Sequence, residues 1–547
     1  MSHRGHRFLT PLAAAALGLA ACPDKTDVTG DILATSDTTA DGADDTLEPE
    51  DAMETTDSGD SVDVATDADV GPEACRPSVP AGVTLDGDGR FREVLGLPPG
   101  DGLLPRGVRV YLPADFDASG ATRYPVLYMH DGQNLFDPGA TAFGEWGVDE
   151  TIDDLTTRGV VPPTLVVAVD NTADRFGDYT PTVDPNDGGG NAEAYGTWLV
   201  DTLKPAIDGL FPTRCEREHT AVAGSSLGGL VSTYLGMRWP TVFGRVAAVS
   251  PSYWWDGEQL LRELEADGAP MPMRFWIDMG SGEGDTGPHD LDPGVAEARR
   301  AFHAALAAGL VLGKDVAYLE ALGAPHNESA WRQRLGSILG FLLSDDGFAS
   351  FPGDESLVLL PSGEGLYLEG RPHVLVVAEA HRGTGPRPAR MTLPRSALRA
   401  DGPVTFDSDG ILTAVSVGSS TVTAELGDLT TSATLAIHPA GLAPVVFEAQ
   451  LPETTPSGAI VYLMGDLAAL GEWDPAAIAL QPPHGGRATS HELALPTATT
   501  FQYQYTLGSA ATVETTADGG PVGKRTGGPI AAAGAKITDL VRGWPTP

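Results

Sequence analysis

Residues 219–239 read HTAVAGSSLGGLVSTYLGMRW. A short apolar run ending in Ala221, Val222 and Ala223 has the character of a buried strand, and 229–239 that of a helix. Between them lies Gly224-Ser225-Ser226-Leu227-Gly228, a G-x-S-x-G turn from strand to helix, the pattern called a nucleophile elbow. Such a turn is strained and leaves no room for side chains where Gly224 and Gly228 stand. It lifts Ser226 to the edge of the sheet, over the positive end of the following helix, and points the Leu227 N–H at the same place. A tight turn with an exposed serine would use the same letters. The strand before, the helix after and the partners further along decide between the two.

A serine nucleophile needs a base to take its proton and a carboxylate to orient that base. Three histidines follow in the same region: His289, His303 and His326. His303 falls inside a predicted helix, and His289 in an acidic loop rich in Gly and Pro. His326 follows a predicted strand, in the loop Gly323-Ala324-Pro325-His326-Asn327 ahead of a last helix, and is the candidate base. The acid belongs at the end of the preceding strand, 274–278, which runs into MGSGEGD. Asp278 still falls within the strand. Glu283 and Asp285 both sit on the loop beyond, and spacing leaves the two open.

From about 90 to 345 strands and helices alternate, the signature of a mostly parallel sheet covered on both faces. Strands are expected at 108–112, 125–130, 165–169, 221–223, 245–249, 274–278 and 316–319, and helices at 193–208, 227–238, 295–308 and 328–343. A chain of 547 residues is too long for one domain. Its net charge of −41 argues against nucleic acid or an anionic membrane surface as a partner.

Residues 1–22 form an export signal, with Arg4 and Arg7 ahead of a short apolar run from Phe8 to Ala21. Leu19-Ala20-Ala21-Cys22 resembles a bacterial lipobox. That resemblance implies lipidation of Cys22 and an exported lipoprotein held at the cell envelope or surface by its lipid alone. Residues 23–74 hold seventeen Asp or Glu against one Lys and read as an extended, self-repelling linker. With Cys22 lipidated, Cys75 and Cys215 remain as a pair suited to a disulfide in an oxidising compartment.

The region 105–345 resembles the putative-esterase branch of the α/β-hydrolases, which includes enterochelin-esterase-like and feruloyl-esterase-like proteins. The resemblance rests on YMHDGQNLF (128–136), FGEWGVD (143–149), Asn171 to Arg175, Tyr179 to Pro181, the Ser226 elbow, GSGE (280–283) and GAPHNESAWR (323–332). It implies an α/β-hydrolase domain over 75–348 that cleaves carboxylic esters through an acyl-enzyme, with no metal or organic cofactor. Ser226 and His326 would be the nucleophile and base. Family spacing favours Glu283 as the acid, with Asp285 second. Backbone N–H groups of Gln133 and Leu227 would form the oxyanion hole. Asp131, Gly132, Trp146 and Trp254 would line the substrate site, Trp254 within an aromatic run, Tyr253-Trp254-Trp255, at the carboxyl edge of the sheet. The family's usual Gly-Gly-His is Ala324-Pro325-His326 here.

Two β domains are expected after it. Residues 355–438, with GILTAVSVGSSTVTAELGDLTTSATLAI at 410–437, resemble a group 2 bacterial immunoglobulin-like domain. Residues 445–547, with GAIVYLMGDLAALGEWDP and FQYQYTLG, resemble a starch-binding-type carbohydrate module. Trp473 matches one of that module's sugar-stacking platforms, implying glucan binding. Ala510, Ala511 and Val513 stand where a second platform is usual, and Gln504 replaces a usual lysine. The expected protein is an exported serine esterase acting on a small-molecule or polysaccharide-linked ester. The alternative is a catalytically inactive surface-binding lipoprotein that recognises carbohydrate through its C-terminal domains.

Overall fold

The computed structural model describes residues 77–119, 121–137, 144–284, 291–360, 365–383, 388–456, 458–481 and 486–545. Cys22, the acidic linker, Cys75, Asp285 and His289 lie outside the described residues. None of the helices among the described residues is long and apolar enough to cross a membrane.

Nine strands form the first sheet: β1 (Thr84–Asp86), β2 (Phe91–Leu95), β3 (Val108–Tyr111), β4 (Val126–His130), β5 (Leu165–Val169), β6 (Thr220–Ser225), β7 (Arg245–Val249), β8 (Arg274–Gly280) and β9 (Val316–Ala321). Their order is β1-β2-β3-β5-β4-β6-β7-β8-β9. Pairing is antiparallel through β3–β5 and parallel from β5 to β9. This is the α/β-hydrolase arrangement, with every expected strand in place. The parallel strands read as unbroken apolar runs because both faces are covered. Val126, Tyr128, Val222, Val246 and Ile277 face one core; Leu127, Met129, Ala221, Ala247 and Trp276 face the other. That alternation is the period of two a strand imposes.

The first core packs beneath α2 (Arg175–Tyr179), α3 (Ala192–Trp198), α4 (Lys204–Leu210), α5 (Leu227–Arg238), α6 (Trp255–Glu265) and α7 (Pro293–Ala307). The second lies under α1 (Val148–Thr157) and α8 (Glu328–Leu343). The helix expected over 193–208 is interrupted by a π turn at Leu199–Leu203, where the Lys204 N–H reaches back to the Leu199 carbonyl. Pro205 follows and has no N–H to donate, so the ladder shifts register just ahead of it. Sequence reading passed over β1, β2, α1, α2 and α6. The β1 strand is exposed, β2 is mostly half-buried, and both are mixed in polarity, which weakens the periodic signal.

The described part of 355–438 is built of β-strands, with one 3-10 turn at Arg395–Ala397. The strands β10 (Glu355–Leu360), β11 (Val377–Arg382) and β12 (Ala389–Thr392) form one small sheet of this middle domain. Its apolar side chains do not make a separate core. Leu359, Val374, Ala378, Met391 and Leu393 belong to the same buried cluster as Leu319, Leu335, Leu339 and Phe341 of the hydrolase domain. Polar bonds stitch the seam: Glu320 N–H to Thr392 Oγ1 at 2.9 Å, Arg390 N–H to Ser337 Oγ at 3.1 Å, and Arg299 to both the Glu320 carboxylate and the Asp409 carbonyl. The C-terminal module, by contrast, has its own core around Phe447, Leu463, Tyr503 and Tyr505.

Ending the chain at residue 354 therefore uncovers apolar surface on α8 and β9. Several side chains each losing about 1.5–3 kcal/mol of burial should lower the melting temperature by roughly 10 °C or more. Ending it at residue 440 should shift it by no more than about 3 °C. Differential scanning calorimetry on the two truncations and the parent reads both.

Candidate active site

Ser226 sits between β6 and α5 with φ 59° and ψ −123°. For a residue with a Cβ that backbone costs on the order of 1–3 kcal/mol and persists only where packing holds it. A Cβ on Gly224 would lie 2.8 Å from the Gly228 carbonyl group, and one on Gly228 would lie 3.3 Å from Asp131 Oδ2. The Ser226 N–H donates to the Val249 carbonyl at 3.0 Å, and its own carbonyl accepts from Gly229 and Leu230 at 3.0 Å each. Its hydroxyl lies 3.3 Å from Ser252 Oγ. Leu227 opens α5, where N–H groups have no intrahelical acceptor.

The facing loop leaves β4 through Asp131, at φ 55° and ψ 47°, into a 3-10 turn over Gly132–Asn134. A Cβ on Gly132 would meet the Ala168–Val169 peptide at 2.8 Å, so only glycine permits this approach. Gln133 is the middle residue of that turn. The Asp131 carboxylate is buried and accepts from Arg175 Nε at 2.8 Å, Arg175 Nη2 at 2.9 Å and Asn171 Nδ2 at 2.6 Å; its N–H donates to Tyr179 Oη at 3.2 Å. Burial pushes this carboxyl up, but the Arg175 charge and these bonds outweigh it and hold it below its ordinary value. Next to it, burial drives the His130 imidazole down to about 3, so it stays neutral, with Nδ1 2.9 Å from Tyr195 Oη.

His326 stands on the loop after β9, 40 % exposed, over a carboxylate only 6 % exposed. Its Nδ1 lies 2.6 Å from Glu283 Oε2. The other Glu283 oxygen, Oε1, accepts from Ser250 Oγ at 2.6 Å and Gly280 N–H at 2.8 Å, with Arg334 Nη2 at 3.5 Å. Burial raises the Glu283 carboxyl, and hydrogen bonds and charge from His326, Ser250 and Arg334 bring it below the usual range. An ionised Glu283 fixes the proton on Nδ1 and leaves Nε2 free as a base. Trp331 of α8 lies edge-on to the imidazole, with ring centroids 5.0 Å apart.

Other expected site residues lie as follows. Asp285 is outside the described residues. Asp278 is wholly buried in β8, bound by Arg334 Nε at 3.1 Å and Trp276 Nε1 at 2.8 Å, and makes no contact with the imidazole. Trp146 does not line the site: it is 3 % exposed and packs on Trp331 at 5.4 Å, because the loop carrying it folds under α8. Of Tyr253, Trp254 and Trp255, only Trp254 is exposed. His303 lies on α7. Sequence reading gave no role to Ser250, Ser252 or Arg334. A small polar residue closing a buried apolar strand, as Ser250 does after β7, is the signal that was available. Among the described residues no cluster of three or more His, Cys, Asp or Glu is placed to hold a metal.

Residues 104–342 match the family profile described as Putative esterase, and residues 442–518 that described as Starch binding domain. An uncharacterized protein, YbbA, of Bacillus subtilis is 24 % identical over 32 % of this chain and 68 % of its own length. The iron(III) enterobactin esterase of Escherichia coli K12 is 31 % identical over 30 % of this chain and 38 % of its own length. An endo-1,4-beta-xylanase/feruloyl esterase of Xylanibacter ruminicola is 32 % identical over 25 % of this chain and 18 % of its own length. The chain thus spans about two thirds of the first relative and well under half of the other two. It carries an esterase-family α/β-hydrolase domain and, after the middle β domain, a starch-binding-type module.

Removing Arg175 would leave the Asp131 charge buried without its partner. Arg175→Met should cost roughly 3–5 kcal/mol in urea unfolding at pH 7. Because the Asp131 carboxyl is held below its ordinary value, its stabilisation is present above the unfolded value and is lost as pH falls through the folded one. The difference between parent and variant should therefore shrink below about pH 4.

Proposed function

We propose that this protein is an exported, lipid-anchored serine esterase in which Ser226, His326 and Glu283 act as a triad. The observation that carries the reading is the 2.6 Å contact of His326 Nδ1 with a buried carboxylate, at the same sheet edge as a strained serine on an elbow. In the first step Ser226 Oγ attacks the ester carbonyl carbon while His326 Nε2 takes its proton. Glu283 stabilises the imidazolium. The carbonyl oxygen, now negative, takes hydrogen bonds from the N–H groups of Gln133 and Leu227, worth on the order of 3 kcal/mol each. Collapse breaks the bond to the alkoxy oxygen, which leaves as the alcohol with the proton from His326. Water then attacks the acyl-enzyme by the same route, releasing the acid and restoring Ser226.

The acyl group is best read as aromatic. Trp254 lies two residues beyond Ser252, the hydroxyl partner of Ser226, and is 46 % exposed. Phe176, 45 % exposed, also packs on buried Trp255, with ring centroids 6.0 Å apart against 5.8 Å for Trp254 and Trp255. Exposed apolar rings packed on one buried tryptophan, close in sequence to the Ser252 turn, offer a surface for an aromatic acyl group. The names of two relatives, an enterobactin esterase and a feruloyl esterase, support the same class.

The lipobox supports anchoring at Cys22, and the cysteine count supports pairing of Cys75 with Cys215. The C-terminal module would hold the enzyme on glucan through Trp473. Lys524 Nζ lies 3.6 Å from that ring's centroid, so a stacked sugar must displace it.

A fluorophosphonate probe should label the parent and not Ser226→Ala, and that substitution should abolish ester turnover. Turnover that survives it would mean a different nucleophile, and a parent that neither labels nor turns over would favour the binding-protein reading. Glu283→Gln should lower kcat by about 10³-fold or more, and Asp285→Asn less than tenfold. Trp254→Ala should raise KM for an aryl-acyl ester by roughly tenfold and leave that for an acetyl ester within about twofold, measured by initial rates.

A further inference from the structure

Behind Glu283 lies a set of groups that the triad does not itself use. Ser250 follows β7 with φ 42°, in the left-handed region. Its hydroxyl has one proton and two lone pairs, and all three are engaged. The proton goes to Glu283 Oε1 at 2.6 Å. The lone pairs accept from Trp331 Nε1 at 3.0 Å and Arg334 Nη2 at 2.6 Å. Its backbone N–H donates to the Asp278 carbonyl at 3.0 Å and approaches Asp278 Oδ1 at 3.2 Å. Arg334 is 4 % exposed and also binds Asp278 Oδ1 through Nε and Nη2, at 3.1 and 2.9 Å.

We propose that Ser250, backed by Arg334 and Trp331, is a positioning residue that sets the place and charge of Glu283 against His326. The inference rests on the esterase reading above. A carboxylate on a loop with glycine on both sides has several rotamers, and only one puts Oε2 beneath Nδ1. Ser250 fixes it by holding Oε1 from the far side, and Arg334 and Trp331 in turn fix the hydroxyl. The left-handed backbone is what aims Ser250 Oγ at the loop. A residue with a Cβ kept in that conformation, when glycine would adopt it freely, points to a need for the side chain. Among the described residues, the charged groups facing the His326–Glu283 pair are Arg334 and Glu328 of α8 and Asp278 of β8.

Ser250→Gly removes the hydroxyl and relieves the backbone strain; the pH profile and the double variant separate the positioning role from a purely structural one. kcat/KM on an aryl ester should fall roughly ten- to a hundredfold, read well below the variant's melting temperature, which falls by several degrees because Trp331 Nε1 and Arg334 Nη2 lose their acceptor. The acidic limb of the pH profile, which reports the free-enzyme base, should move up by about half a unit. A Glu283 carboxylate with one donor fewer favours the imidazolium more strongly. In the Glu283→Gln background, Ser250→Gly should add less than about twofold, since its effect runs through that carboxylate. A limb that stays put, or a loss that multiplies fully onto Glu283→Gln, overturns the proposal. If Ser250→Gly does not fold, Ser250→Ala is read the same way, and failure of both to fold assigns the residue to the fold and overturns it too. Should Glu283→Gln match the parent, the triad reading fails instead, a separate result from failure of the Ser250 role.

Discussion

A serine held at φ 59° between a strand and a helix is the constraint the catalytic domain is built around. That conformation is unfavourable by itself, so everything next to it must be close enough to over-determine it. Gly224 and Gly228 lie against each other, Gly228 lies against Asp131, and Gly229 lies against Val249 and Pro251. The absent Cβ atoms let neighbouring segments come near, and Val249 and Ser252 bond the Ser226 backbone. The result brings three chain ends of a parallel sheet to one edge: the 3-10 turn after β4, the elbow after β6 and the Ser250–Ser252 turn after β7. Ligands of open α/β sheets bind at that edge for the same topological reason.

Charge is the second constraint. Asp131, Asp278 and Glu283 are all buried near the nucleophile, in a protein carrying a large negative excess. Desolvation disfavours each as an anion, and two arginines decide the outcome. Arg175 grips Asp131 with two nitrogens and keeps it ionised, anchoring the turn that carries Gln133. Arg334 is shared by Asp278 and Glu283, and the sharing is uneven. It sits at 2.9 Å from Asp278 Oδ1 and 3.5 Å from Glu283 Oε1. Burial still dominates at Asp278 and raises it, whereas Glu283, with His326 and Ser250 added, falls below the usual range. A carboxylate that stays ionised while nearly enclosed is what an imidazolium-forming reaction requires of its partner.

Much of this was legible in the chain. The elbow glycines, the Asp131-Gly132-Gln133 turn and the His326 loop are local patterns whose spacing carries their geometry, and the parallel strands show as apolar runs bounded by turns. Spacing left Glu283 and Asp285 open, because side-chain reach depends on how the loop after β8 folds back. There the Gly280 N–H and Ser250 pull Glu283 inward. Trp146 was expected to face substrate and instead supports Trp331, since a tryptophan in a loop gives no hint of which side it packs on. Ser250 and Arg334 lie 84 residues apart, and no local pattern links them. Pairings that depend on the tertiary fold leave no periodicity to read.

The middle β domain shows where reading by segments breaks down. Its composition changes sharply from that of the hydrolase region, which suggests an independent unit, yet its apolar residues close the second face of the hydrolase sheet. α8 lies in that shared core. Trp331 and Arg334 on one part of the helix hold Ser250, and Trp331 lies edge-on to the imidazole, while Ser337, further along, binds the Arg390 N–H. A helix held at successive points along its length has few ways to shift, so the domain that adds no group to the site still narrows the positions Arg334 and Trp331 can take. Composition marks where a chain changes character, but only burial shows whether the two sides can stand apart.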